Sequence, residues 1–182
     1  MSRSVAIVGF MGAGKSSVGS RVAALLGVPF LDTDAMIEAA HGSIEAVFDG
    51  AGEARFREIE REVALAALAE AEREARVVSL GGGAVTIGDV REALSRLAHV
   101  AWVDAPVETL VGRASGTKRP LARDTLRFRE LYRERRPLYE SVATVRVAND
   151  GSRPPGAVAA ELVAELTAAA AGEPAASADE GA

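Results

Sequence analysis

The sequence predicts an α/β domain, a five-stranded parallel sheet with helices on both faces. Three observations point there. Five short apolar runs alternate with stretches of helical periodicity. The runs are apolar almost throughout, as strands buried on both faces are. Glycine and acidic clusters at Gly9 onward, at Asp32 and Asp34, and at Gly81 to Gly83 fall just past the ends of runs. In such sheets ligands bind outside the carboxyl ends of the strands.

Val5-Ala6-Ile7-Val8 is the first strand, closed by Gly9. Gly14-Lys15-Ser16 opens a helix through Leu26, with Val18, Val22, Leu25 and Leu26 at helical spacing, and Gly27 stops it. Val28-Pro29-Phe30-Leu31 is the second strand, ending at Asp32-Thr33-Asp34, and a helix follows to about Ala40. Gly42-Ser43 breaks that helix, and Ser43 caps a short one over Ile44 to Phe48. Gly50 and Gly52 interrupt again before a strongly helical stretch from Glu53 to Glu74. Val77 to Leu80 is the third strand, Ile87 to Leu97 a helix, and Val100 to Val103 the fourth strand. Pro106 stands at a first helical position. Gly112 to Asp124 is polar, Arg-rich and poorly periodic, which marks a mobile surface segment. Thr125 to Tyr139 is helical, with Pro137 perturbing its end. Thr144 to Val147 is the fifth strand, and Ala157 to Ala170 the last helix. Residues 171–182 carry no core-forming pattern and read as a disordered tail on a single domain over 1–170.

Composition narrows the function. The 182 residues are 48% hydrophobic and 26% charged, enough for a proper core without disulfides or metals. Absence of cysteine excludes a disulfide framework, a structural zinc site and a catalytic thiol. Two histidines, His41 and His99, exclude a His-rich metal site. No apolar run approaches the ~18 residues of a membrane span. The first run is shorter than the ~7 residues that a signal peptide needs. A cytoplasmic protein with no membrane partner is expected. The net charge of -5 argues against nucleic acid as a partner. Nothing on the surface pattern suggests an obligate oligomer, so a monomer is expected. Of the 21 basic residues only Lys15 and Lys118 are lysines.

Gly9-Phe10-Met11-Gly12-Ala13-Gly14-Lys15-Ser16 fits the phosphate-loop pattern GxxxxGK[ST], with a strand before it and a helix after. Its glycines let successive N–H groups face a phosphate, and the helix N-terminus adds favourable dipole. Lys15 supplies charge to the β- and γ-phosphates, and Ser16 a hydroxyl to Mg²⁺. A GTPase would need a guanine-reading Asn-Lys-x-Asp and a water-positioning Gln. The sequence has one Asn, Asn149, followed by Asp-Gly-Ser, and no Gln. A small-molecule kinase needs only the loop, a metal carboxylate, an acceptor pocket and a closing lid.

Asp32 and Asp34 stand at i and i+2 past a strand end, so in an extended segment they point the same way. One can hold metal-bound water while the other faces an acceptor hydroxyl. The plain alternative is a helix N-cap. Arg57 and Glu60 are one helical turn apart. They form either a surface ion pair worth ~0.3 kcal/mol or an Arg aimed at an anionic acceptor and braced by its Glu. Gly81-Gly82-Gly83 is either a flexible turn or a set of backbone N–H groups open to a ligand.

Taken in order, the phosphate loop with Ser17-Val18-Gly19, Phe30-Leu31-Asp32-Thr33-Asp34, Phe56-Arg57-Glu58-Ile59-Glu60, Ser79-Leu80-Gly81-Gly82-Gly83-Ala84, Lys118-Arg119-Pro120-Leu121 and Glu134-Arg135-Arg136-Pro137-Leu138-Tyr139 make the sequence closely resemble the shikimate kinase family. The resemblance covers about residues 4 to 166. It implies a three-layer α/β/α P-loop fold of the nucleoside-monophosphate-kinase kind. An acceptor-binding segment over about 33–61 and a mobile lid over about 112–124 would go with it. The implied reaction is phosphoryl transfer from ATP, as co-substrate, to the 3-hydroxyl of shikimate, with Mg²⁺. The loop residues Gly12, Ala13, Gly14, Lys15, Ser16 and Ser17 would hold ATP. Asp34 would contact the acceptor hydroxyls as base or as orienter, both of which stay open. Arg57 and Arg135 would grip the acceptor carboxylate, with Gly81 and Gly82 lining the same pocket. Asp32, through water, and Ser16 would serve the metal. Arg119 would reach the transferring phosphate from the lid, so the catalytic set is Lys15, Asp34 and Arg119. Arg113 and Arg153 are candidates for the two faces of the adenine, with a solvated loop Arg the equal alternative for each. Lys118 is either a phosphate contact or a solvated charge. Phe48 and Phe56 would wall the shikimate ring, with plain core packing the alternative.

Two arginine forks on one carboxylate suit a small anion, at ~1.5–3 kcal/mol for each charge-assisted bond. A gluconate kinase is the first rival, since its acceptor is also a carboxylate. A nucleotide-binding regulatory module is the second, and there a broken Asp34, Arg57 or Arg119 position would be expected. All three are intact.

Overall fold

The computed structural model describes residues 4–114 and 124–171. The strands are β1 (Val5–Val8), β2 (Phe30–Asp32), β3 (Val77–Ser79), β4 (His99–Asp104) and β5 (Val145–Ala148). They form one parallel sheet in the order β2-β3-β1-β4-β5. The helices are α1 (Lys15–Leu26), α2 (Thr33–His41), α3 (Ile44–Arg73), α4 (Gly88–Ser95), α5 (Val107–Ala114), α6 (Thr125–Val142) and α7 (Pro155–Ala171), with a single 3₁₀ turn at Ala84–Thr86.

Topology follows from the handedness of parallel crossovers. From β1 the chain moves to one edge of the sheet through α1, and every later crossover moves the other way. Right-handed connections therefore put α1 on one face and α2 to α6 on the other. α7 packs against α1. The chain reverses direction at β1, the middle strand, all four residues of which are buried. That reversal opens the crevice at the carboxyl end of β1 where ligands bind in such sheets. The phosphate-loop sequence begins there, one residue after Val8. A second, smaller apolar cluster, Ile37, Val47, Phe56 and Ile59 with Phe48 against it, joins α2 to α3.

Several boundaries differ from the sequence expectation. β2 starts at Phe30 rather than Val28, because Pro29 has no N–H for the ladder and joins it only as acceptor, its carbonyl taking the Val77 N–H at 2.9 Å. Ser43 does cap a helix, accepting from Ala46 N at 3.2 Å. That helix runs on to Arg73, however, and the break expected at Gly50 and Gly52 is one kink at Gly52 (φ 82°, ψ 168°). Gly112, Arg113 and Ala114 belong to the last turn of α5, and Pro106 precedes that helix. Residues 115–123 of the expected mobile segment lie outside the described residues, as does the tail from 172. α6 continues three residues past Tyr139, since Pro137 is exposed and the carbonyl it frees, on exposed Arg133, is open to water. β5 is shifted by one residue, and α4 is shorter at each end. His41 is exposed beside Gly42, and Trp102 is core at 2% exposure. Among the described residues, no helix is long and apolar enough to cross a membrane.

α1 reaches the sheet through Gly19, where a Cβ would lie 2.7 Å from Phe30 Cε2 and 3.1 Å from Ile7 Cδ1. Gly19→Val should therefore cost about 1–3 kcal/mol by overpacking. A thermal melt should show Tm lowered by roughly 2–4 °C per kcal/mol for a chain of this size.

Candidate active site

The phosphate loop takes its shape from Gly14, which caps α1 in the left-handed region at φ 89°. Only glycine enters that region freely. Lys15 is 7% exposed, and its ammonium donates to the Phe10 carbonyl at 3.2 Å. Ser16 and Ser17 follow in the exposed first turn of α1. Among the described residues the N–H groups of Gly14, Ser16 and Ser17 donate to nothing. Three donors around one helix N-terminus make an anion cradle.

The back of the cradle is held by residues distant in sequence. Asn149, buried just past β5, donates from Nδ2 to the Ala13 carbonyl at 2.7 Å. Arg113 donates from Nη1 to the Gly12 carbonyl at 3.2 Å. The sequence offers Arg113 as an adenine contact or equally a solvated loop Arg, and marks Asn149 only as the sole Asn, placed at a strand end. Arg153 bonds to Glu161 and, at 3.0 Å, to the Ala148 carbonyl, and to no phosphate-loop residue. Arg119 and Lys118 lie outside the described residues.

Facing the loop is a second cluster. Asp32 and Asp34 do not sit on one extended segment, because α2 begins between them at Thr33. Asp32 is the N-cap, its Oδ1 accepting from Asp34 N at 3.0 Å and Ala35 N at 3.2 Å. Its other oxygen has no partner among the described residues. Buried Thr33 accepts the Gly81 N–H at 2.9 Å and ties α2 to the glycine turn.

The glycines are needed for space. A Cβ on Gly81 would stand 2.5 Å from Glu60 Oε1 and 2.8 Å from Asp34 Oδ1, and one on Gly83 would collide with the Arg57 guanidinium. Asp34, Glu60 and Arg57 thus converge on one turn. The pair of Arg57 and Glu60 is not a surface contact. It closes at 2.5 Å with the Glu60 side chain 2% exposed and the Arg57 side chain 21%. Glu53 adds a second carboxylate to Arg57 at 3.1 Å. Burial pushes the Glu60 carboxyl above its usual range, against the pull of Arg57, and Asp34 pushes it further. Burial also works against the Arg57 charge, but Glu60 and Glu53 more than offset it and raise its pKa. The carboxylate bears most of the burial, which is why it moves in its unfavourable direction and the arginine does not.

Arg135, from α6, is buried and donates to the Gly82 carbonyl at 3.3 Å. The Tyr139 hydroxyl reaches the same carbonyl at 2.6 Å. Burial lowers the pKa of Arg135 and raises that of Tyr139. With that carbonyl engaged, the N–H groups of Gly82 and Gly83 donate to nothing among the described residues, although both residues are buried. Buried N–H groups normally find a partner. Unpaired donors, two arginines and two carboxylates around one turn suit a hydroxylated anion.

No group of three or more His, Cys, Asp or Glu able to hold a metal occurs among the described residues. The Ser16 hydroxyl and the second oxygen of Asp32 fit Mg²⁺, which keeps its waters and takes one or two protein ligands with substrate phosphates.

A sheet ordered β2-β3-β1-β4-β5, a phosphate loop at its reversal point and an anion pocket opposite define a P-loop small-molecule kinase of the nucleoside-monophosphate-kinase kind. The family model described as shikimate kinase matches residues 11–167. A shikimate kinase of Mycobacterium avium (strain 104) is 45% identical over 174 residues, covering 92% of this chain and 96% of that one. One from Symbiobacterium thermophilum is 43% identical over 153 residues, covering 80% and 86%. The solved shikimate kinase of Acinetobacter baumannii in complex with shikimate superposes with a TM-score of 0.85 at 32% identity, covering 92% and 94%. The chain belongs to the shikimate kinase family. A gluconokinase from Sinorhizobium meliloti, at 20% identity and a TM-score of 0.61, shares the fold alone.

Because the Glu60 carboxyl is shifted up, it takes a proton before exposed carboxylates do as pH falls. The neutral acid then holds Arg57 less firmly. The KM for the acceptor should rise as pH drops from neutral toward the ordinary carboxylate range. In Glu60→Gln that KM should already be raised and nearly flat over the same window. A steady-state pH series on both proteins checks this.

Proposed function

We propose that the protein transfers the γ-phosphate of ATP to the 3-hydroxyl of shikimate, giving shikimate 3-phosphate and ADP. The observation that carries the acceptor assignment is the buried pair of Arg57 and Glu60, with Arg135 beside the same glycine turn. Two guanidinium groups against an acidic background suit one carboxylate among several hydroxyls.

In this reading Arg57 and Arg135 take the shikimate carboxylate, and Gly81 lines the ring's approach with the N–H groups of Gly82 and Gly83. Phe48 and Phe56, with centroids 4.5 Å apart, supply an apolar wall. Asp34 receives the 3-hydroxyl. That oxygen attacks the γ-phosphorus as the bond from phosphorus to the β,γ-bridging oxygen breaks, and ADP leaves. The hydroxyl proton passes to Asp34, or to solvent if Asp34 only orients. Lys15 and the N–H groups of the loop hold the β- and γ-phosphates. Ser16, and Asp32 through water, would hold Mg²⁺, which offsets phosphate charge when bound. Arg119 is assigned to the transferring phosphate on the family motif alone. Arg113, at the loop, is assigned to the nucleotide, and Arg153 to it only if it leaves Glu161. A cytoplasmic monomer completes the proposal.

ADP release should be measured with ATP and Mg²⁺ and no acceptor, shikimate, gluconate or AMP. Turnover with shikimate alone is expected, and turnover with gluconate instead would transfer the assignment to the rival. Asp34→Asn should lower kcat by about 10²–10⁴ if Asp34 takes the proton. Arg57→Ala should raise the KM for shikimate about 10- to 100-fold, the equivalent of one lost bond to a charged group. Release that ignores the acceptor would overturn the proposal.

A further inference from the structure

We infer that Asn149 is a positioning residue for nucleotide binding, which it serves by fixing one peptide plane of the phosphate loop. The inference rests on the reading of that loop as the ATP site. Asn149 is 5% exposed and sits at the carboxyl end of the edge strand β5, 136 residues from the loop residue it touches. Its own backbone is pinned, the N–H donating to the Asp104 carbonyl at 2.7 Å. From that fixed base its amide donates to the Ala13 carbonyl at 2.7 Å.

A trans peptide is planar, with its C=O and N–H on opposite sides. Holding the Ala13 carbonyl toward Asn149 therefore turns the Gly14 N–H the other way. That N–H is one of the donors without a partner among the described residues. Without the restraint this plane is the easiest in the loop to flip, because Gly14 is a glycine with φ 89° on its carboxyl side. The Asn149 amide also closes off that side of the loop: a Cβ on Gly14 would stand 2.5 Å from Nδ2. The preceding plane is held from the same side, since Arg113 donates to the Gly12 carbonyl and its other terminal nitrogen lies 3.1 Å from where a Gly151 Cβ would be. Two successive loop carbonyls are thus held by the β5–α7 turn and its neighbour α5. Among the described residues Asn149 makes no hydrogen bond to an acceptor residue.

The test is calorimetric titration of the full chain with ADP and Mg²⁺, and separately with shikimate, for wild type, Asn149→Ala and Asn149→Asp. The aspartate keeps the volume and the backbone bond to Asp104, so it covers the case in which the alanine variant does not fold. The expected result is an ADP Kd raised about tenfold in Asn149→Ala, the scale of one ordering hydrogen bond. The rise should be larger in Asn149→Asp, whose carboxylate would face the Ala13 carbonyl. The shikimate Kd should stay within about twofold in both. An unchanged ADP Kd in either variant would overturn the inference. So would parallel weakening of both ligands with a lowered Tm, the mark of a merely structural role. Wild-type protein that binds no ADP would overturn the ATP-site reading, and the inference with it.

Discussion

A carboxylate out of water and pressed against a glycine turn is the constraint on which the acceptor end of this molecule depends. Glu60 lies under Gly81 with its side chain 2% exposed. A buried charge needs a partner, and breaking such a pair from one side typically costs about 3–5 kcal/mol. Arg57 is that partner, and it is thereby fixed in place beside Gly83. The same demand explains the glycine triplet, since Cβ atoms at Gly81 and Gly83 would occupy the space of the ion pair. Asp34 closes on the same turn from α2, with Thr33 holding the Gly81 N–H. Order at this end is thus electrostatic, and it is paid for by the apolar packing of α2 on α3 around Ile37, Phe56 and Ile59.

The nucleotide end is organised differently. There the open donors are backbone N–H groups of the phosphate loop, and side chains act on the backbone. Asn149 and Arg113 hold loop carbonyls, and Lys15 rests on Phe10. Both ends sit on the carboxyl edge of one sheet, and β1, β3 and β2 are hydrogen-bonded neighbours in it. Strand register, with Gly82 lying close against Met11 and Phe10 of the loop, therefore fixes the distance between the two ends.

Local chemistry was legible in the sequence, and remote partnership was not. The phosphate loop could be read because its eight residues are contiguous and Gly9, Gly14, Lys15 and Ser16 each have a reason for their type. The spacing of Arg57 and Glu60 showed a pair, but whether it was buried depends on Gly81 and Gly83, which come from the turn after β3. Asp32 and Asp34 were read in an extended geometry that holds for strands. A helix starting at Thr33 rotates them apart, and the N-cap alternative is the one Asp32 adopts. Asn149 left almost no trace, since its partner is 136 residues away. The kink at Gly52 was expected as a full break, because a glycine pair alone does not say whether helical packing continues on both sides.

In the proposed function Arg57, held by Glu60, reads the acceptor's carboxylate. Comparing shikimate with its carboxamide, in wild type and in Arg57→Ala, tests it most directly. Wild type should discriminate against the neutral amide in kcat/KM by about 10- to 100-fold, and Arg57→Ala should lose most of that discrimination while handling the amide as wild type does. Equal discrimination by both proteins would place the carboxylate elsewhere and contradict the account.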